Sequence, residues 1–135
     1  MNLLQLLAEK RIIEEADIQR IEEDALASGK SVEDVLIERG VSIEDILNVK
    51  GQRYDIPSKI VGDDQISYEV LQYIPEESAM HYQIVPLDVS EGVLEIGIVD
   101  PDNIEAMDAL NFIAARVNLP YKVYIISQKD FEKVL

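Results

Sequence analysis

Apolar residues in the first 57 positions recur at helical spacing. Leu3, Leu6 and Leu7 fall on one helical face. Ile18, Ile21, Ala25 and Leu26 form a second set, Val32, Val35 and Leu36 a third, and Ile43, Ile46, Leu47 and Tyr54 a fourth. Gly29 and Gly40 stand where helices stop, because a left-handed residue there closes the last turn. Ser31 with Asp34, and Ser42 with Asp45, read as capping pairs. In each, the serine oxygen takes a free backbone N–H and the acid sits in the first turn. Pro57 closes the helical region.

A repeat lies inside this region. Leu7-Ala-Glu-Lys-Arg-Ile-Ile-Glu-Glu-Ala-Asp-Ile18 resembles Leu36-Ile-Glu-Arg-Gly-Val-Ser-Ile-Glu-Asp-Ile46, at an offset of 29 residues and one residue shorter in the second copy. That is the size of a helix–turn–helix unit, so two packed helical hairpins are predicted.

The pattern changes further on. Residues 58–66 read as a connector, with turn chemistry at Gly62-Asp63-Asp64. Tyr68 to Tyr73 and Pro75 to Tyr82 read as short helices. Ile84 to Val89 and Val93 to Val99 alternate like strands around a tight Ser90-Glu91-Gly92 turn. Asp100-Pro101 then opens a helix through Ala106, Leu110, Ile113 and Ala114. Pro120 to Ile126 is a third strand, and Ser127 with Asp130 caps a last helix carrying Phe131, Val134 and Leu135. The predicted class is α+β: a helical repeat subdomain at 1–57, a connector at 58–66, and at 67–135 a small, largely antiparallel three-stranded sheet with flanking helices on one face. The chain stops within a helical pattern without a C-cap, as expected of a piece of a longer protein.

Composition narrows the function. With 135 residues and 47% apolar, the chain can fold without a disulfide or metal. A net charge of −15 excludes a free-standing binder of nucleic acid or anionic lipid. The absence of cysteine removes thiolate zinc sites, iron–sulfur clusters and thiol catalysis. No apolar stretch is long enough to span a bilayer, so no direct membrane insertion is expected, and the location read from these exclusions is cytoplasmic. From Ile60 to Ala115 there is no Lys or Arg, against 12 acidic residues. Such a surface favours a basic partner; the alternative is a merely solubilising surface.

Catalytic and metal chemistry find little support. Asp100-Pro-Asp102-Asn103 lacks the glycine and terminal glutamate of a calcium loop, and no metal or cofactor is predicted. The single histidine, His81, fits a helix C-terminus better than a general base in a hydrolase. No phosphate-cradling glycine loop occurs.

Residues Tyr73-Ile-Pro-Glu-Glu-Ser-Ala-Met-His-Tyr-Gln-Ile-Val-Pro-Leu87 lead through Glu91-Gly92 into Val99-Asp-Pro-Asp-Asn-Ile-Glu-Ala-Met-Asp-Ala-Leu110. With Leu36-Ile-Glu-Arg-Gly-Val and Gln52-Arg-Tyr-Asp-Ile-Pro57 upstream, this resembles the N-terminal domain of type II secretion and type IV pilus assembly ATPases. The resemblance implies a non-catalytic domain that docks its own downstream ATPase motor onto the cytoplasmic region of an inner-membrane platform protein. Such a domain is peripheral to the inner membrane through its partners. The helical face with Leu3, Leu4, Leu6 and Leu7 is the expected docking surface, because these leucines span a wider arc than one core stripe needs. The competing reading buries that helix.

One branch of the family binds cyclic di-GMP through two helical motifs at this same offset, opening on Arg-Leu-Gly and closing on Gln. Here the copies open at Asn2 and Ser31 and close near Ala25 and Arg53. Both arginines, which would pair with phosphate or stack on guanine, and both glycines are missing, and Glu33 adds a negative charge. Cyclic di-GMP sensing is therefore the alternative function, and binding is not expected.

Overall fold

The computed structural model describes residues 2–61 and 66–135. The turn expected at Gly62-Asp63-Asp64 lies outside the described residues. The chain divides into two compact units, Met1–Arg53 and Tyr54–Leu135.

The first unit holds α1 (Leu3–Glu9), α2 (Ile18–Ser28), α3 (Val32–Glu38) and most of α4 (Ile43–Tyr54). Its core gathers Leu4, Leu7, Ile21, Ala25, Val35, Leu36, Ile46 and Val49. Local geometry repeats at the 29-residue offset. Asn2 and Ser31 cap α1 and α3, each accepting the N–H three residues on. Both helices end at a basic C-cap, Lys10 or Arg39, followed by a left-handed residue, Arg11 at φ 62° or Gly40 at φ 94°. The next N–H then returns to the helix, from Ile12 to the Leu7 carbonyl at 2.9 Å and from Val41 to the Leu36 carbonyl at 3.0 Å. This closure satisfies carbonyls that a helix end otherwise leaves free, and it aims Leu7 and Leu36 into one core. In the second half of each copy a 3-10 turn at Glu15–Asp17 runs into α2, where the later copy has Ser42 capping α4 directly. Leu26 does not share the face of Ile21 and Ala25, as expected from the pattern, but is 85% exposed. It follows Ile21 by five residues, and at about 100° per residue that turns it well away from the buried stripe.

The second unit holds α5 (Tyr68–Leu71), α6 (Glu76–Tyr82), β1 (Ile84–Ser90), β2 (Val93–Ile98), α7 (Ile104–Val117), β3 (Tyr121–Ile125) and α8 (Gln128–Val134). The sheet order is β1-β2-β3. β1 and β2 pair antiparallel across a two-residue turn in which Glu91 (φ 52°) and Gly92 (φ 77°) are both left-handed, the backbone that a twisted hairpin requires. β2 and β3 pair parallel, because α7 carries the chain back before β3 begins. The sheet is thus mixed. A register shift between Pro86 and Asp88 bulges β1 at Leu87. Ile84 to Leu87 and Ile96 to Ile98 are buried without a break, so both sheet faces are covered there and not one face as expected. Ser58 bridges to Ile125, with Pro57 and Lys59 exchanging backbone hydrogen bonds with Ile125 at 2.8 and 3.0 Å, so the strand edge continues into these residues.

The helix after β2 begins later than Asp100-Pro101 predicts. Asn103 is the N-cap of α7, taking the Ala106 N–H at 3.2 Å. Asp100 instead accepts the Asp102 N–H at 3.0 Å in a local turn. An Asp side chain can take an N–H two residues on in a turn as readily as one at a helix start, and here it takes the turn. Ser127 caps α8 as read, taking the Asp130 N–H at 3.0 Å. The buried Asp130 carboxylate in turn accepts the Val61 N–H at 2.9 Å, tying the chain before the sheet to the last helix.

Candidate functional site

Two sets of residues carry the functional readings, both in the first unit. The first set is Asn2, Ala25, Ser31 and Arg53. Asn2 forms a full capping box with Gln5: its side chain accepts the Gln5 N–H at 2.9 Å, and its own N–H donates to the Gln5 side-chain oxygen at 3.1 Å. Ser31 Oγ accepts the Asp34 N–H at 3.1 Å. Both positions are therefore occupied in starting helices. Ala25 is buried in the core, and Arg53 is exposed in the last turn of α4, where its charge suits the helix C-terminus. The repeat brings Asn2 and Ser31 to equivalent places in its two copies, while Ala25 and Arg53 differ in burial as well as in chemistry.

Charges around α3 are largely internal pairs. Glu33, one turn into α3, is ion-paired with Lys50 of α4, both side chains being less than one-fifth exposed. Arg39 reaches Asp24 of α2 at 2.9 Å, and Lys30 pairs with Glu38. The hydrogen bond from Lys30 to Glu38 raises the lysine above its ordinary value. This network links α2, α3 and α4, and its one guanidinium, Arg39, is already held by the Asp24 carboxylate.

The second set is Leu3, Leu4, Leu6 and Leu7. Leu4 and Leu7 are buried at 3% and 0% exposure, and Leu3 and Leu6 pack half-buried against the same core. The wide leucine arc of α1 is used inside the unit, so only Leu3 and Leu6 present any surface. The sequence pattern does not distinguish a wide buried arc from a docking face, because both need apolar residues around the helix.

In the second unit, His81 is exposed in the last turn of α6, with its ring edge-on to Tyr82 at 4.7 Å. A groove of about 300 Å³ runs between α5, α6, β1 and α8, lined by Leu71, Ile74, Val85 and Val134 together with the polar Gln72 and Glu76. Lys59 of the strand edge bonds Glu95 of β2 at 2.9 Å and lies 5.4 Å from the Tyr124 ring, which Lys122 approaches at the same distance. The Tyr54 hydroxyl donates to Asp102. These contacts join residues up to 65 positions apart, and no local spacing marks them. Among the described residues no helix is long and apolar enough to cross a membrane.

The family model described as the MshEN domain matches residues 54–135. Among solved structures, one titled "Structure of MshE with cdg" matches at a TM-score of 0.69 and 22% identity, covering 100% of this chain and 99% of that one. The N-terminal domain of XpsE matches at a TM-score of 0.58 and 19% identity, over 98% of this chain and 90% of that one. A second crystal form of the XpsE domain gives 0.53 at 19% identity, with the same coverage. No curated protein matches. The structural likenesses establish the fold, and the family model, which spans well over half of the residues, establishes the kinship. The chain belongs to the MshEN-domain family, the N-terminal domain of type II secretion and type IV pilus assembly ATPases.

Proposed function

We propose that this domain is a docking and regulatory module. It joins its own ATPase motor to the cytoplasmic region of an inner-membrane platform protein and is not itself catalytic. It acts in the cytoplasm, peripheral to the inner membrane through that partner. The observation that carries this reading is the state of the repeat. The two-hairpin scaffold is intact, yet both opening positions, Asn2 and Ser31, serve as helix caps, and Glu33 adds a paired carboxylate beside the second. A scaffold kept without its anion-binding groups fits protein contact better than ligand sensing. On this reading the −15 charge serves a basic partner surface.

A second reading, a cyclic di-GMP sensor, is favoured by one observation: the match to MshE with cdg spans the whole chain. Calorimetric titration with cyclic di-GMP, with ATP and GTP as controls, separates the two. Docking alone predicts no heat up to hundreds of micromolar ligand. Micromolar binding of cyclic di-GMP only, lost in Arg53→Ala, makes the domain a second-messenger sensor.

A further inference from the structure

Helix α7 has two unlike faces. Ala106, Leu110 and Ile113 are buried in the core of the second unit. Ile104 and Phe112, two turns apart on the opposite side, are 76% and 70% exposed. Asp108 lies between them at the middle turn and Glu105 beside them, both exposed. The buried face already satisfies the fold, so these two large apolar side chains contribute little to it. Burying either on a partner removes apolar area from water, which favours association. Aromatic anchors rimmed by charge are the usual centre of a protein contact.

Charge selects the occupant. Between Ile60 and Ala115 the chain carries 12 acidic residues and no Lys or Arg, and Arg116, exposed one turn beyond Phe112, is the single cation of α7. A second copy of the chain would bring one net charge of −15 against another. An anionic bilayer would be repelled in the same way. A segment with Lys or Arg flanking apolar side chains meets both features at once. We propose that the outer face of α7, anchored by Ile104 and Phe112 and edged by Glu105 and Asp108, receives a basic amphipathic segment of a protein partner. This deepens the docking reading and rests on it for the partner's identity.

Two probes test it on the whole chain: a labelled amphipathic helical peptide with lysine flanks, and the recombinant cytoplasmic region of the platform protein. Fluorescence anisotropy with both is expected to weaken at least tenfold in Phe112→Ser and in Ile104→Ser. It is expected to weaken several-fold in the double variant Glu105→Gln/Asp108→Asn, and to fall with salt. Because all four side chains are exposed, the variants should melt like the parent chain, and Leu26→Ser, at another exposed site, should bind normally. Equal binding of a glutamate-flanked peptide with the same apolar face overturns the proposal. So does platform binding that is indifferent to Ile104 and Phe112, which leaves the docking reading standing. Loss of platform binding by every form of the chain, with the lysine peptide still held through Phe112, removes that partner and keeps the surface. Self-association lost in Phe112→Ser, or capture by phosphatidylserine vesicles, overturns it in favour of a second copy or a membrane.

Discussion

Gly97 offers the sharpest test of packing in the sheet. It sits in the central strand opposite Val85 and Tyr124. A β-carbon built there would stand 2.8 Å from Ile126 Cδ1, 3.1 Å from Cγ2 and 3.2 Å from Cγ1. Comfortable carbon contacts need about 3.5–4.0 Å. Turning the end of the isoleucine moves only Cδ1, and the two γ-carbons stay too close. Ile126 is fully buried, so it has no free space to turn into. Gly97→Ala should therefore destabilise the second unit by about 1–3 kcal/mol, the usual result of one surplus methyl in a packed core. All six tyrosines lie at or beyond position 54 and there is no tryptophan, so tyrosine fluorescence in a urea titration reports this unit specifically. Ile126→Ala removes all three crowding atoms and costs about 2–5 kcal/mol alone. Joined with Gly97→Ala it should cost less than the two added together, by about 1 kcal/mol. Gly97→Ala within about 0.5 kcal/mol of the parent, or strict additivity of the pair, would refute the close-approach argument.

Four further outcomes follow from the same physics. Leu7→Ala should lower the stability of the first unit by about 2–5 kcal/mol in thermal melts followed by far-ultraviolet circular dichroism, since Leu7 is wholly buried. Arg11→Gly should raise that stability by about 0.4–1 kcal/mol, because Arg11 holds the left-handed position that Gly40 fills in the second copy. Asp130→Ala should cost the second unit about 1–3 kcal/mol in urea and speed amide exchange at Val61, whose N–H loses its buried acceptor. The hydrogen bond to Glu95 raises Lys59 above its ordinary 10.5, so the stability it lends is complete below that value and fades as pH climbs through the raised one. Glu95→Gln should therefore cost under about 1 kcal/mol at neutral pH, given the exposure of Lys59, and this gap should close in strongly alkaline urea titrations.

The elements whose cause is local were legible in the sequence. The caps at Ser31, Ser42 and Ser127 need only a serine and the N–H three residues on, and each forms that bond. The Glu91-Gly92 turn follows from two residues that tolerate positive φ between alternating runs. The Leu7–Leu36 repeat likewise carries its closing hydrogen bonds in short-range sequence. What escaped depends on distance along the chain. The parallel pairing of β2 with β3 depends on where α7 returns the chain. Asp100 looked like a cap because capping residues and turn residues are the same types, and only the backbone path separates them. The four leucines of α1 share one chemistry whether they face a partner or a core, and burial assigns Leu4 and Leu7 to the core. The buried stripe of α7 explains that helix without Ile104 and Phe112, so a search for core positions does not single them out. Their angular position, nearly opposite Leu110 and Ile113, was readable from a helical period.

The central claim is that the domain holds a motor to a membrane platform through protein contact and independently of nucleotide. Its most direct test titrates the purified chain with the cytoplasmic region of the platform protein in a calorimeter, with and without saturating cyclic di-GMP. The account predicts a stoichiometric complex whose affinity is unchanged by the nucleotide and falls with salt. No complex at any salt, together with heat from cyclic di-GMP alone, would contradict it.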